Sequence, residues 1–291
     1  MIWDSPTYHW PHGYKAAACF SVDVDALSPY LWQMREGVPG TLAITEHRQY
    51  GMRTGFRRMV SMLDRLGIRG SFFVPGVVAE DNPELLQGLL ERGHEIGLHG
   101  YFHELAGDVS DAQFTEALEA SLALFKAQTG RAPAGFRSPA WEMTPHMLAE
   151  LKRLGLWDSS LMGHDLPYRI DGVTELPVRW DIDDAIFFKF LGGADRAPRS
   201  QLEIGQNWAD EARAQIRDGG LFMMTVHDWL SGRAARVDML EDLWQPLVDN
   251  PDVWIATCGE IARHHESQAG YETTTGPITP VNDRVKTKEQ P

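Results

Sequence analysis

The chain is 291 residues long, 43% hydrophobic and 23% charged, the balance of an ordinary globular protein with one large domain or two small ones. Its formal net charge of −14 argues against nucleic acid or an anionic membrane surface as a partner. No apolar run approaches the roughly 18–20 residues of a membrane-spanning helix.

Residues 1–13, rich in Trp, Tyr, His and Pro, read as an extended lead-in without the basic start and apolar core of a signal peptide. An apolar strand, Ala16 to Val22, then delivers Asp23-Val24-Asp25. Ser28 to Tyr50 carries Pro29, Gly37, Pro39 and Gly40 and reads as a long irregular loop that shapes a nearby site. Gly55 to Leu66 has helical apolar spacing, and Gly70 to Val74 is a strand broken by Pro75-Gly76. Asn82-Pro83 opens a helix through Leu90 that stops at Gly93. Ile96 to Leu98 is a buried strand running into His99-x3-His103.

Asp111 to Thr129 is a helix stopped by Gly130, and a short strand at 134–136 leads into Arg137-Ser138-Pro139-Ala140-Trp141. A helix from Thr144 to Leu154 and a strand end at Trp157-Asp158 follow, then a possible strand at Glu175 to Val178. After a helix from Asn207 to Arg217, the apolar strand Leu221 to Val226 ends in His227-Asp228-Trp229. A helix near 237–247, a strand at 253–255 and a helix from Gly259 close the pattern, and residues 269–291 read as a loose polar tail. Strands and helices alternate about seven times without a linker, which predicts an α/β fold: a single distorted (β/α) barrel of about seven parallel strands over residues 14–268.

In such a barrel catalytic groups stand at the C-terminal ends of strands, and Asp23, Asp25, His99, His103, Arg137, Asp158 and His227 all fall there. Paired histidines alone are common on surfaces. Joined by a carboxylate from a neighbouring strand, His99, His103 and Asp25 make a ligand set for a catalytic divalent metal, zinc above all. The i, i+4 spacing brings the two imidazoles to one point if the chain turns helically after the strand. Asp23, two residues from Asp25 on the same face of an extended segment, is placed to take a proton, and Arg137 could pair with it. His227 could protonate a departing amine, with Asp158, Asp183 or Asp228 to orient it. His47, His146, His164, His264 and His265 read as surface histidines, and Cys19 and Cys258 as reduced, buried thiols of a cytoplasmic protein.

These motifs, in this order, resemble those of the polysaccharide deacetylase family over roughly residues 14–265. The resemblance implies metal-dependent hydrolysis of an N-acetyl amide. Asp23 would be the general base, Asp25, His99 and His103 the metal ligands, Arg137 the partner of Asp23, and His227 the general acid. The backbone N–H of Ala140 would be the oxyanion donor. Ala140 stands where the family usually has an aromatic residue, a role Trp141 could take over. Asp-Val-Asp-Ala at 23–26, Phe-Phe-Val-Pro-Gly at 72–76 and Gly-His-Glu-Ile-Gly at 93–97 are similar to a cytoplasmic branch of that family. That branch contains peptidoglycan deacetylase-like proteins, cyclic imide hydrolases and a metal-independent allantoinase, and commonly forms tetramers. The expectation is therefore a homotetramer or homodimer that hydrolyses a small amide or cyclic imide, or else an N-acetylated sugar. A binding protein that kept the fold and lost turnover is the reading from another class.

Overall fold

The computed structural model describes residues 8–37, 40–190, 197–268 and 272–273. Ten strands are present among them: β1 (Ala16–Asp23), β2 (Ser71–Val74), β3 (Glu95–Leu98), β4 (Gly135–Phe136), β5 (Trp157–Asp158), β6 (Tyr168–Ile170), β7 (Val173–Glu175), β8 (Leu221–His227), β9 (Val253–Ile255) and β10 (Glu272–Thr273). They form one sheet in the order β10-β6-β7-β5-β4-β3-β2-β1-β8, with β9 also on β1. Every pairing is parallel except that of β6 with β7. An isolated parallel bridge from Asp183 to Thr225 brings the segment after β7 against β8, so the sheet curls into the expected distorted (β/α) barrel. β9 pairs with Ala16–Ala18 and β2 with Ser21–Asp23, two strands sharing β1's length.

Side chains alternate between two cores, as the two-residue repeat of a strand requires. Ala18, Phe20 and Val22 of β1, with Phe222, Met224 and Val226 of β8, pack outward against the surrounding helices. Ala17, Cys19, Leu221 and Met223 pack inward with Phe73, Trp157 and Cys258 and fill the lower half of the barrel. The thiols of Cys19 and Cys258 lie 3.5 Å apart in this interior, fully buried, hydrogen-bonded to each other and not joined as a disulfide. Gly97 and Gly135 make the filling possible: a Cβ on Gly97 would come within 2.7 Å of the Phe73 ring, and one on Gly135 within 2.0 Å of the Trp157 indole.

The outer helices follow their local signals. Ser110 caps Asp111–Thr129 and Thr257 caps Cys258–Glu266, each through a reciprocal capping box. The expected helix at 82–90 is present as Leu85–Glu91, and a further helix, Gly76–Asp81, precedes it. Pro83 disfavours helical backbone at Asn82, which ends the earlier one.

The stretch 28–50 is not an irregular loop. It contains helices Ser28–Met34 and Leu42–Tyr50, and a π-turn at Gly51–Gly55 carries the second into Phe56–Leu66. Gly55 is held so close that an added Cβ would lie 2.0 Å from the Asp228 carbonyl oxygen. The expected strand at 175–178 begins earlier, as β7, in a hairpin with β6. Part of the expected tail, Glu272–Thr273, is strand β10; residues 269–271 and 274–291 lie outside the described residues, as do 1–7 of the lead-in. His265 is buried, stacked on Tyr8 at 5.9 Å, and so is not a surface histidine.

Candidate active site

The inner face of the barrel changes from apolar to polar as the strands ascend. On β1 it reads Ala17, Cys19, Ser21, Asp23; on β8 it reads Leu221, Met223, Thr225, His227, and the register sets Ser21 beside Thr225 and Asp23 beside His227. Val24 still pairs with β2 through its N–H to the Phe73 carbonyl, so the alternation carries on and Asp25 points inward as well.

His99 leaves the end of β3 and donates from Nδ1 to the Arg137 carbonyl at 2.8 Å, because a carbonyl can only accept. That bond fixes the ring and leaves Nε2 with its lone pair directed at the two aspartates. His103 arrives by a tight turn and not by a helix. Its own φ is 60°, Gly100 has φ 68°, and the Glu104 carboxylate accepts the N–H groups of Tyr101 and Phe102 at 3.0 and 2.7 Å. Oδ1 of Asp25 is 3.5 Å from Nε2 of both His99 and His103, and it is buried without a hydrogen-bond partner. A bare anionic oxygen between two imidazole nitrogens, from a two-histidine, one-carboxylate donor set, suits a borderline divalent cation such as zinc.

The electrostatics are those of a shared site. Burial pushes the Asp25 carboxyl up, but His103, His227 and His99 outweigh it and hold it well below the usual carboxylate range. Burial pushes His103 down to about 4, a neutral imidazole suited to ligation. His99 is also opposed by burial, yet Asp23 and Asp25 raise it.

Arg137 is fully buried and lies on the floor made by Phe73, its guanidinium 4.0 Å from the ring centroid. Nη1 donates to Asp23 Oδ1 and to Ser21 Oγ, each at 2.8 Å, while Nε and Nη2 bind the carbonyl and hydroxyl of Ser159 at 3.0 and 2.9 Å. This fork fixes one oxygen of Asp23; the other lies 3.9 Å from His99 Nε2.

Across the cleft, His227 Nδ1 is 2.6 Å from Asp184 Oδ1, and its backbone N–H donates to Asp184 Oδ2 at 3.0 Å. The orienting acid is therefore Asp184, and none of Asp158, Asp183 and Asp228. Asp183 makes the bridge to β8 and caps Ala185. Asp158 accepts from Ser160 Oγ beside the buried Glu175, and burial pushes both carboxyls up. Asp228 accepts a long bond from the Ala26 N–H, and burial pushes it to about 7. Asp184 was visible only as the second half of an acidic pair, and spacing cannot say which member faces inward where a segment joins by one bridge. Burial opposes a charged His227, but Asp184 and Asp25 outweigh it and raise it well above the usual imidazole value. Its Nε2 lies 3.7 Å from Asp25 Oδ2, facing the same point as the two other imidazoles.

A cleft of about 170 Å³ joins these groups, and Ala140, Trp141, Trp180, Arg48, Lys189 and Trp229 complete its wall. Ala140 and Trp141 both hold left-handed backbone, φ 54° and 58°. Trp141 is buried and stacks on Trp180 at 4.3 Å, so the more exposed aromatic face is that of Trp180. Sequence reasoning had singled out neither Trp180 nor Arg48.

The family model described as polysaccharide deacetylase matches residues 41–157. A crystal structure from Mycobacterium smegmatis, titled as a polysaccharide deacetylase, superimposes with a TM-score of 0.86 at 32% identity, covering 95% of this chain and 99% of that one. A peptidoglycan deacetylase of Helicobacter pylori is 27% identical over 280 residues, 84% of this chain and 94% of its own length. An allantoinase structure shares the fold, with a TM-score of 0.81 at 19% identity over 92% of this chain and 96% of that one.

Proposed function

The chain belongs to the polysaccharide deacetylase family, and on that premise we propose that it is a metal-dependent hydrolase of non-peptide carbon–nitrogen bonds acting on a small cytoplasmic amide or cyclic imide. The observation that carries this reading is the convergence of three units on one small cleft: Asp25 with His99 and His103, Asp23 with Arg137, and His227 with Asp184. Asp25, His99 and His103 would hold the metal. When bound, it supplies a Lewis acid for the scissile carbonyl and a water nucleophile at neutral pH.

The chain's own groups do the rest. Asp23, with one oxygen pinned by Arg137, turns its free oxygen toward the site and takes the proton of the attacking water. The Ala140 N–H is the oxyanion donor in this reading, from a left-handed segment that lines the cleft. His227 is held protonated by Asp184, so at neutral pH it has a proton to give the leaving nitrogen. Trp180 and Trp229 line the cleft and exclude bulk water from the reacting bond.

The small volume of the cleft supports a small substrate over a polymer. N-deacetylation of an N-acetylated sugar is the second reading, favoured by the activity named for the Helicobacter pylori relative. The test is hydrolysis by purified protein with and without a chelator, comparing cyclic imides and ureides with N-acetylglucosamine oligomers. Chelator-sensitive ring opening is expected. Acetate release alone would replace the small-amide reading with the sugar one, and silence on both substrates would count against each.

A further inference from the structure

Arg48 is a buried cation for which the proposed hydrolysis has no use. It comes from helix Leu42–Tyr50, is 6% exposed, and reaches the cleft beside the metal-ligand candidates. Its guanidinium lies over the Trp229 indole, 4.4 Å from the ring centroid, which fixes its plane. Among the described residues it makes one hydrogen bond, a long one of 3.4 Å from Nη1 to the Ala26 carbonyl.

A guanidinium has five N–H donors, and burying it with so few of them met is costly unless something else meets them. A structural counter-ion would bind its carboxylate directly. Here Asp25 Oδ2 stands 3.9 Å away, and the neighbouring Asp228 keeps Oδ2 buried without a hydrogen-bond partner. Arg48 is thus stacked on Trp229, loosely paired with Asp25, and part of the cleft wall.

From this geometry we infer that Arg48 is a specificity residue that binds a carboxylate carried by the substrate next to the scissile amide. Its planar fork matches the two oxygens of a carboxylate, and its place beside Asp25 puts that group close to the reacting carbonyl. The substrate class becomes an acidic amide or imide, or one whose opening creates a second carboxylate-like end. Lys189 also lines the cleft but is exposed at its mouth, where it adds positive field without fixed geometry. The assignment rests on the proposed hydrolysis only for the identity of the scissile bond.

Calorimetric titration of the zinc-loaded protein with succinate and with butyrate tests it without turnover. The two probes share one carboxylate for the metal and differ in the second, which the Arg48 guanidinium is placed to grip. The wild type is expected to bind succinate about tenfold or more tighter than butyrate, the size of one charge-assisted pair. Arg48→Gln should bring that ratio close to one, and Lys189→Gln should keep most of it. Equal binding of both probes by the wild type, which needs no variant to fold, would overturn the assignment. So would a preference that survives Arg48→Gln or follows Lys189. An inactive protein that still prefers succinate in an Arg48-dependent way would keep the carboxylate site and sink the hydrolase reading instead.

Discussion

Asp23→Asn should lower turnover by about 10²–10⁴-fold while metal content stays near the wild type. The amide has the shape of the carboxylate, and its oxygen can still accept the Arg137 Nη1 hydrogen bond that Asp23 accepts at 2.8 Å. What it cannot do is take a proton. The variant therefore separates base chemistry from metal binding, because Asp23 stands beside the candidate ligands, 3.9 Å from His99, and is not one of the three. Steady-state kinetics on any accepted substrate, with elemental analysis of the same preparation, would read it. Activity within a few-fold of wild type would remove Asp23 from the chemistry. Loss of metal along with activity would make it a ligand.

The largest effect on stability should come from Arg137→Ala, about 3–5 kcal/mol by denaturant unfolding. The side chain is fully buried, binds Ser21, Asp23 and Ser159, and covers the Phe73 ring. Its removal leaves the Asp23 carboxylate buried without its partner and opens a hole above the apolar floor. Arg137→Lys should keep the charge but lose the fork, since one ammonium cannot reach both Asp23 and Ser159 in the same geometry, and so should destabilise less. A loss under about 1 kcal/mol for Arg137→Ala would put the pair in the class of solvent-screened ion pairs and contradict its role as the post that holds Asp23.

The parts of this molecule that were legible in the sequence are those set by strand direction. An apolar strand that ends in Asp23 and Asp25, another that ends in His99, and a third that ends in His227 must place these groups at one rim if the strands are parallel. The register does so, with Asp23 directly beside His227. Positions set by turns were harder. Pro29 reads as a breaker, yet it occupies the first turn of helix Ser28–Met34, where a missing N–H costs nothing, and Thr41 caps the next helix. The loop reading of 28–50 missed both signals and with them Arg48.

Asp171-Gly172 has positive φ at both residues, 49° and 86°, the two-residue turn of a β-hairpin, a signal in the sequence that the reading of this stretch passed over. Asp184 was not derivable. Its aim at His227 depends on the single bridge at Asp183, and a one-residue slip there would have presented the other acid. The meeting of His99 and His103 through a left-handed turn and not a helix depends on Glu104 gathering two backbone N–H groups, a contact that spacing alone does not reveal.

The proposed chemistry requires Asp25, His99 and His103 to act as one ligand set, and metal content tests that most directly. Elemental analysis of protein loaded with zinc and then dialysed should find about one equivalent per chain in the wild type and close to none in His103→Ala. If His103→Ala holds metal as firmly as the wild type, or the wild type holds none, the centre proposed here is wrong.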